Sequence, residues 1–127
     1  MRKISTLLMA FFVAFALQAQ TVLVEDFGGG SFPPSGWTTS NQPTNWRISQ
    51  TANAGGGAPE GKLTWSPQFN TTSRFISPVL DLAGNSKAIF RFKQMIDHYA
   101  STYQIGVATR ASEADDWSNA WIQTINA

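Results

Sequence analysis

From Thr21 onward the apolar residues fall in short bursts with a period of two, and no stretch carries the three-to-four spacing of an amphipathic helix. Thr21 to Phe27 (TVLVEDF) is β-branched and apolar and predicts a first strand. Trp37 to Thr39 predicts a short second one. Asn45 to Gln50 sets Trp46 and Ile48 on one face, and Lys62 to Trp65, Arg74 to Ser77 and Val79 to Leu82 continue the series. The cleanest alternation is Lys87 to Met95, with Ala88, Phe90, Phe92 and Gln94 on one face and Ile89, Arg91 and Lys93 on the other. Tyr103 to Thr109 repeats the pattern with Tyr103, Ile105, Val107 and Thr109 together, and Trp121 to Ile125 returns to strand character.

The residues between these bursts are breakers. Gly28 to Gly30 end the first strand, and Pro33 and Pro34, with fixed φ and no N–H, exclude helix and central strand. Thr51 to Gly61 (TANAGGGAPEG), Asn70 to Ser73 and Ala83 to Ser86 read as loops or turns, and Ala111 to Asn119 has room for one helical turn. Short strands at close spacing, joined by Gly, Pro and Asn turns, predict an all-β protein built as an antiparallel β-sandwich. The last strand runs to Ala127 with no closing segment, and a sandwich stopping there would leave an unpaired edge. The expectation is a domain incomplete at its C-terminus.

Composition enters through the first nineteen residues. Arg2 and Lys3 precede an apolar run from Ile4 to Leu17, the pattern of an export signal cleaved after Ala19. The run is shorter than the roughly twenty residues a membrane span needs. Cleavage leaves residues 20–127, one domain's length. It also removes two of the nine basic residues, so seven remain against eight acids, a net charge of −1. Nothing in that balance draws the domain to nucleic acid, and no membrane span is expected after cleavage. The expected location is secreted or at the cell surface. With no cysteine, stability must come from the core, from a bound ion or from neighbouring domains, not from disulfides.

Several segments together resemble the cleaved-adhesin, or choice-of-anchor J, domains, relatives of the MAM-type jelly rolls in exported proteins of Bacteroidetes. The residues carrying the resemblance are Glu25-Asp-Phe27, Phe32-Pro-Pro34, Gly36-Trp37-Thr38, Trp46, Ile76 to Leu82 (ISPVLDL), Ala88 to Phe92 and Tyr103 to Thr109. They span nearly all of the chain beyond the signal and are structural, not catalytic. The resemblance implies a jelly-roll sandwich used for adhesion or attachment, often beside peptidase or other catalytic domains. Where many members carry an Asp- and Gly-rich loop before the second tryptophan, this chain has Asn41-Gln-Pro-Thr-Asn45.

Candidate chemistry is sparse. His98 is the only histidine, so a nucleophilic triad would have to use it as base. Its place between two strong strands favours a loop histidine. One His without Cys cannot build a typical closed zinc site. Asp115 and Asp116 read as solvated neighbours, and Gly28–Gly30 and Gly55–Gly57 as loops without the Lys-Ser/Thr pair of a phosphate cradle. No catalytic residue is expected.

Two binding chemistries remain. Calcium takes six to eight oxygen ligands, and Glu25 and Asp26 at the end of the first strand, with Asp97 as a third contributor, are the candidate structural calcium ligands. The bland alternative is ordinary surface acids. Exposed aromatic faces can stack on sugar rings, and Trp65 and Trp117, beside loop sequences, are the candidate ligand-binding residues, against core packing. Trp37 and Trp46 read as framework. The functional expectation is a non-catalytic adhesion or attachment module for an extracellular protein or glycan. The alternatives are a carbohydrate-binding module or an accessory domain of a secreted peptidase.

Overall fold

The computed structural model describes residues 20–85 and 87–127. The predicted signal segment and Ser86, the last residue of one predicted turn, lie outside the described residues. The ordered elements are β1 (Thr38–Ser40), a single 3-10 turn (Pro43–Asn45), β2 (Trp46–Ser49), β3 (Glu60–Leu63), β4 (Arg74–Ile76), β5 (Tyr103–Thr109) and β6 (Ser118–Ile125). β1 pairs with β4, β2 with β3 and β5 with β6, and every pairing is antiparallel. The described residues are therefore all-β, with only 3% helix. Its three ladders are two-stranded and do not by themselves join into the two sheets of a sandwich.

β2, β4 and β5 form where the pattern predicted them, β1 lies one residue later than Trp37 to Thr39, β3 a little earlier than Lys62 to Trp65, and β6 begins three residues before Trp121. Three predicted strands, 21–27, 79–82 and 87–95, join no ladder. Side-chain oxygens compete for the backbone in the first two cases. The Phe27 N–H donates to Glu25 Oε1 (2.6 Å) and the Gly28 N–H to Asp26 Oδ1 (2.8 Å), bending the chain where a strand would continue. Asp81 Oδ1 likewise takes the Ala83 N–H (2.9 Å). In 87–95 the alternation nonetheless survives as a facing pattern. Phe90 and Phe92 lie side by side, ring centroids 5.2 Å apart, and Phe92 meets Trp121 of β6 edge-on at 6.1 Å. Alternation specifies which side chains share a face; a ladder also needs a neighbour in register.

The glycine- and proline-rich segment after residues 21–27 folds as two successive turns. Phe27 adopts a left-handed backbone (φ 60°), uncommon for a bulky residue, within a turn closed by the Gly30 N–H donating to Phe27 O (3.2 Å). A second turn follows, in which the Trp37 N–H donates to Pro34 O (3.0 Å) with Gly36 at φ 79°, the conformation that makes glycine the favoured residue at that position. These two turns carry Phe27, Phe32 and Trp37 onto Phe75 of β4. Centroid distances to Phe75 are 5.9, 5.1 and 4.2 Å, and Trp46 of β2 joins at 5.7 Å. Aromatic pairs of this kind add about 0.5–1.5 kcal/mol each beyond the area they bury. Gly61 of β3 belongs to the same packing, because a Cβ there would lie 2.7 Å from two carbons of the Phe27 ring.

Polar pins complete this framework. Ser73 Oγ accepts from Trp46 Nε1 (2.8 Å) and donates toward Ser40 O and Asn41 O (3.2 and 2.9 Å), tying β1, β2 and the approach to β4 together. Asn45 is fully buried, and its Nδ2 donates to Thr64 O and Pro67 O, both at 2.8 Å. The Thr64 N–H returns a bond to Asn45 O (2.8 Å). Among the described residues no aliphatic or aromatic side chain is fully buried; Pro34, Asn45 and Thr64 are the buried positions.

In the β5–β6 hairpin the half-buried face passes through Tyr103, Ile105 and Val107 as the alternation predicts. The register shifts between Val107 and Ala108, leaving Ala120 as the extra residue on β6. Beyond that bulge Ala108 is half-buried and Thr109 is exposed, so the predicted face is half-buried only as far as Val107.

Candidate functional site

The buried Asn45–Thr64 pin sets up the most exposed tryptophan whose neighbours are held in place. Thr64 gives its N–H to Asn45 O and shares its hydroxyl proton between Asn45 O (3.1 Å) and Ser66 O (3.2 Å). With Thr64 turned inward, the next side chain turns outward, and Trp65 is 76% exposed. Facing it is the segment before β5. There His98 Nδ1 meets the Tyr103 hydroxyl at 3.3 Å, which directs His98 toward the hairpin. Its neighbours Asp97 and Tyr99, two residues apart, line the same groove as Trp65, a shallow recess of about 290 Å³. Tyr99 is 95% exposed. Two aromatic faces and one carboxylate thus converge where the framework meets the connection to the hairpin.

Of the sequence-predicted residues, Trp65 and Asp97 are brought together, though Asp97 arrives beside an aromatic pair and not beside Glu25 and Asp26. The carboxylates of those two acids are engaged with the backbone of their own turn. Among the described residues no group of three or more His, Cys, Asp or Glu side chains is placed to hold a metal ion.

Trp117 has a different environment. It is half-buried, with the Arg110 guanidinium 4.4 Å and that of Arg74 5.3 Å from its ring centre, so two cations of this chain already occupy its surroundings. Asp115 closes a local turn, accepting from Ser112 Oγ (2.8 Å) and donating its N–H to Ser112 O (3.2 Å).

A second recess of about 280 Å³ is lined by Phe90, Phe92, Val107, Ala120 and Trp121. It is apolar throughout. Near it, Lys93 Nζ donates to Gly55 O (2.6 Å), joining the 87–95 segment to the glycine loop. That loop is in turn gathered by Glu60, which accepts from the Thr51 hydroxyl and from the N–H groups of Ala54 (3.0 Å) and Asn53 (3.2 Å). The Thr51 bond is the largest of the influences that hold the Glu60 carboxyl below its ordinary value of 4.5, followed by the bond from Ala54.

Sequence reasoning missed Tyr99 and Glu60. The signal for Tyr99 was an aromatic in a polar connection, Asp97-His-Tyr99, where packing demands none. No sequence signal marks Glu60, whose role comes from a loop folding back on it. No helix among the described residues is long and apolar enough to cross a membrane. Comparison with family models, with curated proteins and with solved structures found no match.

Proposed function

We propose that the protein is a non-catalytic attachment module, exported to the cell exterior and there binding an extracellular protein or glycan through a jelly-roll-type sandwich. The observation that carries this reading is the open groove lined by Asp97 together with Trp65 and Tyr99, both of which stand largely in solvent. Large aromatics exposed beside a polar group are the usual anchors of recognition surfaces. The Arg2-Lys3 and Ile4–Leu17 pattern supports export. The resemblance is the ground for the jelly-roll and adhesion part of the reading, and Trp37 and Trp46, two residues that carry it, pack against Phe75 as framework residues would.

Solid-phase binding tests the proposal. Purified protein is applied to immobilised collagen, fibronectin and mucin, with albumin as background. Saturable retention above albumin on any of the three is the expected result; retention on none of them would overturn the reading.

A further inference from the structure

We infer that the groove between Trp65, Asp97 and Tyr99 is a saccharide subsite, taking one sugar ring against its aromatic faces and giving its hydroxyls the Asp97 carboxylate as acceptor. The inference rests on the attachment reading and names the ligand class of that groove.

The argument starts from what lines it. A pyranose ring offers a face of C–H groups surrounded by hydroxyl donors, so it needs a flat, polarizable apolar surface with an acceptor at the edge. Trp65 and Tyr99 supply the surfaces. Asp97 supplies an acceptor that takes charge-assisted hydrogen bonds from two hydroxyls at once. At about 290 Å³ the recess is near the lower limit of roughly 300 Å³ for small-molecule clefts. It fits a single ring with the rest of a chain lying outside.

Other occupants fit less well. A peptide anchor gains its affinity in an enclosed, fully desolvated pocket, and no aliphatic side chain walls this one. A methylated ammonium ion would use the same rings and carboxylate, but it is held strongly where aromatic faces enclose it and exclude water. Here the rings are 76% and 95% exposed, an arrangement that leaves a cation hydrated. It costs a saccharide nothing, because its outer hydroxyls remain in water.

The geometry also separates ligand contact from folding. Trp65 projects from a pinned neighbour, and Tyr99 has almost its whole surface in solvent, so neither truncation disturbs the aromatic framework. Isothermal titration of the full protein with cello-, xylo-, manno- and chito-oligosaccharides, and with choline chloride as the cation probe, tests the inference. The expected result is binding of at least one oligosaccharide, weakened about tenfold or more by Trp65→Ala and by Tyr99→Ala. Asp97→Asn should weaken it by a smaller factor, with melting temperature unchanged in all three variants. Heat with choline alone, no heat with any oligosaccharide, or unchanged affinity in the Trp65 and Tyr99 variants would overturn it. Retention on collagen or fibronectin without oligosaccharide binding removes the saccharide subsite and leaves the attachment reading standing. Loss of both removes both.

Discussion

The segments on either side of Ser86 use their aromatic residues in opposite ways. Between Phe27 and Phe75, four rings converge on Phe75, and their backbone is held by two tight turns, the Ser73 hydroxyl and the buried Asn45 amide. Between Lys87 and Tyr99, Phe90 touches Phe92 and Phe92 touches Trp121, the chain joins no ladder, and Tyr99 stands in water. The difference lies in polar support, not in apolar content. Where side-chain and backbone hydrogen bonds fix the chain, the rings become framework; where they do not, the rings remain available to a ligand. Trp65 sits at the junction, anchored like the first group and exposed like the second.

The sharpest way to break the comparison is to attack the framework's buried amide. Asn45→Asp replaces two donors with a carboxylate facing the carbonyls of Thr64 and Pro67. The fully buried site would then hold an unpaired charge against two acceptors, at a cost of about 3 kcal/mol or more. Urea denaturation should show a strongly lowered midpoint. Phe75→Ala comes next: it removes the ring that four others touch and should cost about 2–3 kcal/mol by the same measurement, less than a fully buried phenylalanine because Phe75 is only half-buried. Gly61→Ala drives a Cβ into the Phe27 ring and should cost about 1–2 kcal/mol through overpacking.

Smaller effects sharpen the boundary between the regions. The Glu60 carboxyl is held below 4.5 in the folded protein by its bonds from Thr51, Ala54 and Asn53. A depressed folded value means that its contribution is complete above the unfolded value and is lost as pH falls through the folded one. The melting temperature of the native protein should therefore drop more steeply than that of Glu60→Gln as pH falls below 4.5. Parallel slopes would mean that the loop clamp does not contribute. Tyr99→Ala should change stability least, within about 0.5 kcal/mol, as expected of an exposed side chain outside the framework.

Much of the framework was legible in the sequence because local chemistry writes it. Two prolines and Gly36 specify turns, the resemblance marked Trp37 and Trp46 as framework, and the alternation in Tyr103 to Thr109 marks β5 from end to end. The failures have two physical causes. Alternation cannot identify a partner strand, so Lys87 to Met95, the clearest pattern in the chain, forms an aromatic face without a ladder. Capture of the Phe27 and Gly28 N–H groups by Glu25 and Asp26 depends on a bend that strand propensity does not register. The site was half legible. Trp65 and Asp97 were each singled out, but for different ligands, because only the folding of residues 97–99 toward Thr64's neighbour brings them to one groove. Trp117, a tryptophan beside a loop weighed as a ligand face against core packing, lies half-buried beside Arg74 and Arg110.

The central claim is that the Trp65–Asp97–Tyr99 groove binds and the Phe75 cluster supports. The most direct measurement is solid-phase retention of the Trp65→Ala/Tyr99→Ala double variant on the surface that best retains the native protein, read at matched melting temperature. The account predicts loss of at least about tenfold in affinity with no change in melting temperature. Retention equal to that of the native protein would contradict it.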